Sequence, residues 1–359
     1  MEEEANKKVN GNKRNLHLLI LNTIFLAIGA CGGPMVMRLY FIHGGKRVWL
    51  SSWLQTGGWP VNLIPLVITY IHRRHREGSS AAKLVFMGGP MFMAATFIGV
   101  VCGFCNYLYG YGVAHLPLST FTLIAASHLT FTAFFAFVLV KQKFSPYSIN
   151  AVVMLTTGAG VLALHTSSDR PKGESSKEYY LGFFLALAWA VVGGVVFPFL
   201  ELSYKKARQA VTYTLVLEVQ LVSCFFATIV CTIGMVINHD FKAITREARN
   251  FGLGETTYYV VLVASGIVWQ ICTLGVIGVT FSGSSLLSAM MLAILLPVTE
   301  ILAVILYKEK FTAEKGVSLA LSLWGFVSYF YGELKHNKEK REALSPKSEM
   351  PLPISVTAP

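Results

Sequence analysis

Thirteen residues, Thr132-Ala-Phe-Phe-Ala-Phe-Val-Leu-Val-Lys-Gln-Lys-Phe144, recur as Thr299-Glu-Ile-Leu-Ala-Val-Ile-Leu-Tyr-Lys-Glu-Lys-Phe311, a shift of 167 positions (299 − 132). Six of the thirteen are identical, and most of the others exchange one apolar residue for another. The same shift carries Gly158 onto Gly325 inside the apolar segments that follow. The chain is an internal duplication, so any fold it adopts must accommodate two copies of one unit.

Composition decides the solvent. At 54% hydrophobic, 14% charged and mean hydropathy +0.55 over 359 residues, the chain calls for lipid rather than water around it. Apolar windows of about 20 residues predict ten spans, near 17–41, 49–71, 90–112, 118–139, 147–165, 180–202, 213–237, 257–279, 284–306 and 315–332. The repeated segment falls in the fourth and fifth spans and again in the ninth and tenth. A shift of five spans is odd, so the two copies must cross the membrane in opposite directions. The expected fold is therefore an all-α integral membrane protein of ten transmembrane helices, arranged as two inverted five-helix repeats. Inverted repeats of this kind are built into secondary transporters, with the site at their interface.

The expected boundaries are a disordered cytoplasmic tail over 1–15, a first repeat over 16–166, an extracellular linker over 167–178, a second repeat over 179–334 and a disordered cytoplasmic tail over 335–359. With the N-terminus inside, Lys and Arg divide eighteen to twelve in favour of the inner side. Both ends are accordingly placed in the cytoplasm. The first 15 residues lack the short apolar core and small-residue site of a cleavable signal.

Several function classes are set aside by what the chain lacks. Its net charge of +11 is scattered over loops and ends without interleaved aromatics, which suits a membrane rim and not nucleic acid. All six cysteines lie within apolar spans and read as small packing residues. Cys102 and Cys105 have a paired spacing, but neither a second pair nor a nearby His completes a metal site. Neither a Ser-His-acid arrangement nor a phosphate-cradling glycine loop is present, so no enzyme is expected. No cofactor is implied beyond a proton as coupling ion.

Polar residues deep in apolar spans are costly unless they are used. Glu300 is the deepest acid, and Pro297 three residues earlier removes a helix hydrogen bond and could free the backbone from Ala293 onward. A second acid, Glu218, shares its span with Gln220, but residues two apart face different ways. In the second span Gln55 and Trp59, four apart, would share a helix face, with Gly57, Gly58 and Pro60 opening the helix locally. The third span offers Asn106 and Tyr109, the fourth His128 and Thr132, the sixth Trp189 and the eighth Trp269 beside Gln270. The competing reading makes the tryptophans interfacial anchors and His128 a packing residue. Taken together, flat rings and amides suit a small planar nitrogen heterocycle: rings stack on it, amides pair with an edge such as that of adenine, and a carboxylate accepts from its N–H.

A family resemblance rests on Trp49-Leu-Ser-Ser-Trp-Leu-Gln-Thr-Gly-Gly-Trp-Pro60, Asn106-Tyr-Leu-Tyr109, Leu139-Val-Lys-Gln-Lys-Phe144, Leu164-His-Thr-Ser-Ser-Asp-Arg-Pro171, Leu295-Leu-Pro-Val-Thr-Glu-Ile-Leu-Ala303 and Glu314-Lys-Gly-Val-Ser-Leu-Ala-Leu-Ser-Leu-Trp-Gly-Phe-Val-Ser-Tyr-Phe330. Over about residues 20 to 335 the chain resembles the plant purine permeases of the drug/metabolite transporter superfamily. The resemblance implies a ten-helix inverted repeat and proton-coupled import of adenine, cytokinins and related heterocycles, with the plasma membrane as location. One departure stands out: His128 occupies a position where the resemblance implies Gln. The substrate-binding set is then Gln55, Trp59, Asn106, Tyr109, His128, Thr132, Trp189, Gln220, Trp269 and Glu300, with the coupled proton on Glu300 or Glu218. A phosphate-ester or nucleotide-sugar exchanger of the same fold is the nearest alternative, opposed by the scarcity of mid-span Lys and Arg. A membrane receptor for a planar heterocycle is the other.

Overall fold

In hydrocarbon every backbone N–H and C=O must be satisfied within the protein, so long apolar segments fold as helices. The computed structural model describes residues 2–77, 85–116, 118–164, 176–207, 209–307 and 313–344. Among these residues there are twelve α-helices and no strand. They are α1 (Glu2–Ile42), α2 (Val48–Leu54), α3 (Leu63–Glu77), α4 (Gly89–His115), α5 (Leu118–Val140), α6 (Pro146–Leu164), α7 (Ser176–Lys205), α8 (Tyr213–Ile237), α9 (Asp240–Arg249), α10 (Glu255–Ser282), α11 (Ser285–Tyr307) and α12 (Ala313–Leu344). Six stretches among the described residues, in α1, α4, α7, α8, α10 and α11, are long and apolar enough to cross a bilayer. The chain is a multi-pass membrane protein.

Four features depart from the sequence expectation. The second span is broken in two: α2 ends at Leu54, and a short 3-10 turn over Trp59–Asn62 leads into α3. Gly57, Gly58 and Pro60 explain the break, since two glycines weaken the helix and a proline removes a donor. Secondly, α11 runs unbroken through Pro297, so the expected opening of the backbone there does not occur. Thirdly, α9 is additional; at ten residues it is too short for a span, and its apolar and charged faces suit an interface. Fourthly, helix extends into both tails expected to be disordered, back to Glu2 in α1 and on to Leu344 in α12. Lys, Glu, Arg and Ala, which recur in the sequence beyond residue 337, have high helix propensity. Residues 165–175, which hold most of the expected linker, and the repeated Lys308 and Lys310 lie outside the described residues.

Helix packing follows a paired pattern. α1 lies against α10 and α11, α7 lies against α4 and α5, and α6 lies against α12. Across the last seam a Cβ at Gly158 would stand 3.1 Å from the carbonyl oxygen of Ser318 and 3.3 Å from the Leu321 Cβ. A Cβ at Gly325 would stand 3.1 Å from the carbonyl oxygen of Ala151 and 3.3 Å from the Met154 Cβ. Each pair is the other displaced by 167 residues, and rising along α6 means descending along α12. The two helices therefore run antiparallel with reciprocal contacts, as across a two-fold axis. Thr132 and Thr299 repeat the likeness locally: each hydroxyl donates to the carbonyl four residues earlier, His128 at 2.9 Å and Leu295 at 2.8 Å.

Buried acids hold helix ends in place. Glu201 of α7 accepts from the Ser285 N–H at 2.7 Å, at the first residue of α11, and pairs with Lys205 at 2.8 Å. Here a carboxylate meets the positive end of a helix. At the α1–α2 turn, Arg47 lies 3.6 Å from Asp240 and 3.5 Å from Glu247 of α9. The Tyr40 hydroxyl donates to Glu247 at 2.9 Å, and the Asn238 side-chain amide donates to Asp240 at 2.8 Å. Burial raises the pKa of Asp240, while the Asn238 hydrogen bond and the Arg47 charge partly offset that rise.

Candidate substrate-binding site

The broken span places polar groups where a continuous helix would consume them. Thr56 and Asn62 flank the break, are both buried, and face α8 and α10. Gln270, near the middle of α10, joins them: its side-chain N–H donates to the Thr56 carbonyl at 3.0 Å, and its Oε1 accepts from Asn62 at 2.7 Å. Gln220 of α8 donates to the Gln270 carbonyl at 3.0 Å and to its Oε1 at 3.3 Å. Gln220 is 0% exposed, yet its Oε1 has no partner among the described residues. Such an acceptor is costly unless a ligand or a water fills the place. The α10 backbone comes close because Gly58 has no side chain; a Cβ there would collide with the Gly266 carbonyl and stand 3.0 Å from the Gln270 Cγ.

Aromatic rings form a second group from α4, α5 and α7. Tyr109 meets Trp189 edge-on, with centroids 5.3 Å apart, and Trp189 stacks on His128 at 5.4 Å with 23° between the planes. Phe197 closes the series against His128 at 5.6 Å. Gly193 allows the approach, since a Cβ there would stand 3.0 Å from the His128 Nε2. Thr132, one helical turn beyond His128, is wholly buried and turns its hydroxyl to the backbone. Trp269 leans on Gly33 of α1, and its buried indole N–H has no partner among the described residues. Two unused polar atoms of opposite kind, an acceptor on Gln220 and a donor on Trp269, thus occur in this part of the molecule.

The remaining candidates are placed as follows. Gln55 is buried just after α2 ends, whereas Trp59 opens the 3-10 turn and meets Phe225 edge-on at 5.3 Å. The expectation of one shared helical face for Gln55 and Trp59 is corrected by the intervening turn at Gly57 and Gly58. The Asn106 carbonyl accepts from the Ser52 hydroxyl at 3.1 Å, tying α2 to α4. Glu218 accepts from the Phe86 N–H at 2.9 Å and the Met87 N–H at 2.8 Å, anchoring the segment that leads into α4. It points away from Gln220, as the two-residue spacing requires. The side chain of Glu300 lies outside the described residues. Sequence reasoning passed over Asn62, Glu201 and Phe197; a polar residue beside Pro60 inside an apolar stretch was the available signal for Asn62.

Among the described residues no cluster of His, Cys, Asp and Glu could hold a metal. A family described as purine nucleobase transmembrane transport matches residues 17–339. Purine permease 3 of Arabidopsis thaliana is 53% identical over 343 residues, covering 95% of this chain and 98% of its own. The chain belongs to the purine permease family. Purine permease 2 of the same plant is 50% identical and covers 93% of this chain and 97% of its own. Probable purine permease 5 is 33% identical over 91% and 89% respectively. Purine permeases are transporters and not enzymes, in agreement with the absence of catalytic motifs in the sequence. A crystal structure of a protein only 15% identical superposes with a TM-score of 0.54, covering 87% of this chain and 96% of that one, and shares the fold alone.

Proposed function

We propose that this purine permease imports adenine and purine derivatives, including cytokinins, together with protons by alternating access. The observation that carries the reading is the stacked His128–Trp189 pair with Tyr109 at its edge, in the same helix bundle as an amide cluster with an open acceptor on Gln220. Purines present a flat face for stacking and an edge that both donates and accepts. The names of the relatives agree: Purine permease 3 and Purine permease 2 are each similar to this chain over nearly their full length.

The ten-span inverted repeat, with five-helix units over 16–166 and 179–334, is supported by the paired packing of α1 with α10 and of α7 with α4, and by the reciprocal α6–α12 seam. Two opposed units rocking about a central site give alternate exposure to either side. Glu218 already accepts backbone hydrogen bonds from Phe86 and Met87, which leaves Glu300 as the acid to carry the coupled proton. When the site faces the outside, Glu300 takes up a proton as the base binds; when it faces the cytosol, both leave. Both termini are cytoplasmic and the plasma membrane is the site of action.

The test is uptake of labelled adenine by cells expressing the chain, with and without an inward proton gradient. Native uptake is expected to fall when the gradient is collapsed, and Glu300→Gln to lose that dependence. Normal uptake by Glu300→Gln with unchanged gradient dependence would remove Glu300 from the mechanism. Absence of uptake of any purine would remove the reading itself.

A further inference from the structure

α7 packs in two different ways along its length. Near its start, Ala186 and Ala190 are buried against Leu116, which follows α4, and Ile124 of α5, and no described residue of α1 or α10 joins that core. A second core at the same end holds Tyr40 of α1, Leu50 of α2, Met235 of α8, Ala248 of α9 and Tyr258 of α10, with no described residue of α5 or α7. The two cores touch on the flank of α2, where Trp49 stacks on Tyr107 of α4 at 4.0 Å. Near the other end of α7, Leu200 and Tyr204 share a single core with Met91 of α4, Leu215 and Val216 of α8 and Ile277 of α10. The group of α4, α5 and α7 and the group of α1, α10 and α11 thus stand apart where α10 begins and meet where α11 begins.

Specific contacts cross that meeting. Glu201 of α7 accepts from the N–H of Ser285 at the start of α11 at 2.7 Å. Close by, Tyr204 meets Phe281 of α10 edge-on at 5.9 Å. The Tyr213 hydroxyl, at the start of α8, donates to Asn22 of α1 at 2.9 Å. Asn22, Glu201, Tyr204 and Ser285 are all buried. Phe197, which closes the aromatic series on His128, stands one turn before Glu201, so the rings and this seam are neighbours along α7. Two features suit a seam that parts. Glu201 also pairs with Lys205 on its own helix, so its carboxylate keeps a partner when α11 withdraws. The buried hydroxyls of Tyr204, Ser282 and Ser285 have no partner among the described residues, a cost that hydration of an opened seam removes.

We infer that this seam is the gate on one side of the carrier, shut here while the opposite side stands open, and that it parts in each transport cycle. The inference rests on the alternating-access reading proposed above. Asn22 lies near the start of the apolar stretch of α1, which runs from Leu16 to Ile42. With the N-terminus in the cytoplasm, the shut side is therefore the cytosolic one.

Ile277 is buried behind the seam, one turn before Phe281, and Ile277→Cys in the full-length protein serves as a reporter. Its labelling by a membrane-impermeant maleimide is followed in inside-out vesicles, as the difference from protein without the reporter. Tyr213→Phe removes only the hydroxyl that reaches Asn22 and is expected to speed labelling about tenfold, the equivalent of one hydrogen bond. Glu201→Ala is expected to speed it likewise, while Glu201→Gln, whose carbonyl can still accept from Ser285, stays within a few-fold of native. Labelling unchanged by Tyr213→Phe and Glu201→Ala would overturn the gate. The second measurement is uptake. Asn22→Cys/Tyr213→Cys, joined by a short reducible bifunctional thiol reagent, is expected to lose uptake of labelled adenine and to regain it on reduction. Uptake that persists through the crosslink would overturn the gate and leave the transport reading intact. Native protein that takes up no purine, yet shows the labelling differences, would remove the transport reading and leave a static seam.

Discussion

Gly158 of α6 lies against the Ser318 carbonyl of α12, while Gly325 of α12 lies against the Ala151 carbonyl of α6, each at 3.1 Å from where a Cβ would stand. The two glycines are duplicates of one position and perform one task twice. Forcing a methyl group into such a contact displaces backbone, and overpacking of this kind costs about 1–3 kcal/mol. We expect Gly158→Ala and Gly325→Ala to lower thermal stability in detergent by similar amounts, and a leucine at either position to abolish folded yield. A large inequality between the two alanine variants would show that the seam is not reciprocal in energy.

The amide cluster gives a second expectation. Removing the Gln270 side chain strands the Asn62 amide, one Gln220 N–H and the Thr56 carbonyl. Each buried group left without a partner costs about 1–3 kcal/mol. Gln270→Leu is therefore expected to unfold at markedly lower temperature, whereas Gln220→Met keeps the volume and removes the open acceptor. Gln220→Met should raise the KM for adenine roughly tenfold, the equivalent of about one hydrogen bond. The check is uptake kinetics at matched expression.

Stacking on Trp189 is tested by graded substitution. Trp189→Phe retains a flat ring beside His128, and Trp189→Ala removes it. An aromatic pair contributes about 0.5–1.5 kcal/mol beyond buried area. We expect Trp189→Phe to transport adenine with a modestly raised KM and Trp189→Ala to lose affinity by about tenfold or more. His128→Gln keeps hydrogen-bonding capacity but removes the ring stacked on Trp189, so it should sustain uptake with a raised KM.

Asp240 offers a pH test away from the membrane-spanning segments. Its pKa is raised above 3.8 in the folded protein, chiefly by burial. Between that value and the raised one the folded state binds more protons than the unfolded state, so stability falls as pH rises through this window. The contribution is fully present below 3.8 and lost above the folded value. Asp240→Asn should flatten this acid-side slope in a pH series of thermal unfolding, leaving transport at neutral pH within a few-fold of native. A slope unchanged by Asp240→Asn would assign it to other carboxylates.

The sequence disclosed what periodicity and composition can carry. The repeat of Thr132 at Thr299 is plain in the sequence, and in the structure both hydroxyls bond to the carbonyl four residues earlier, a bond local to one helix. Gly57, Gly58 and Pro60 marked the break for a similarly local reason. By contrast, the partners of Glu218 lie 131 and 132 residues away, and only packing decides which backbone amides reach it. α9 escaped notice because a search for spans passes over ten residues that are half charged. Pro297 misled in the other direction: neighbouring helices hold α11 together although one of its internal bonds is missing.

Gln270 touches three separate pieces of the chain at once: the Thr56 carbonyl just after α2, the Asn62 amide at the end of the 3-10 turn and the Gln220 amide of α8. A joint of this kind has no half-open position. If α10 slides far enough to lose one contact, it gives up the alignment on which the other two depend, and buried polar bonds resist separation until they are replaced together. The crossing of these segments is consequently stiff toward small displacements, because its contacts are given up together rather than one at a time.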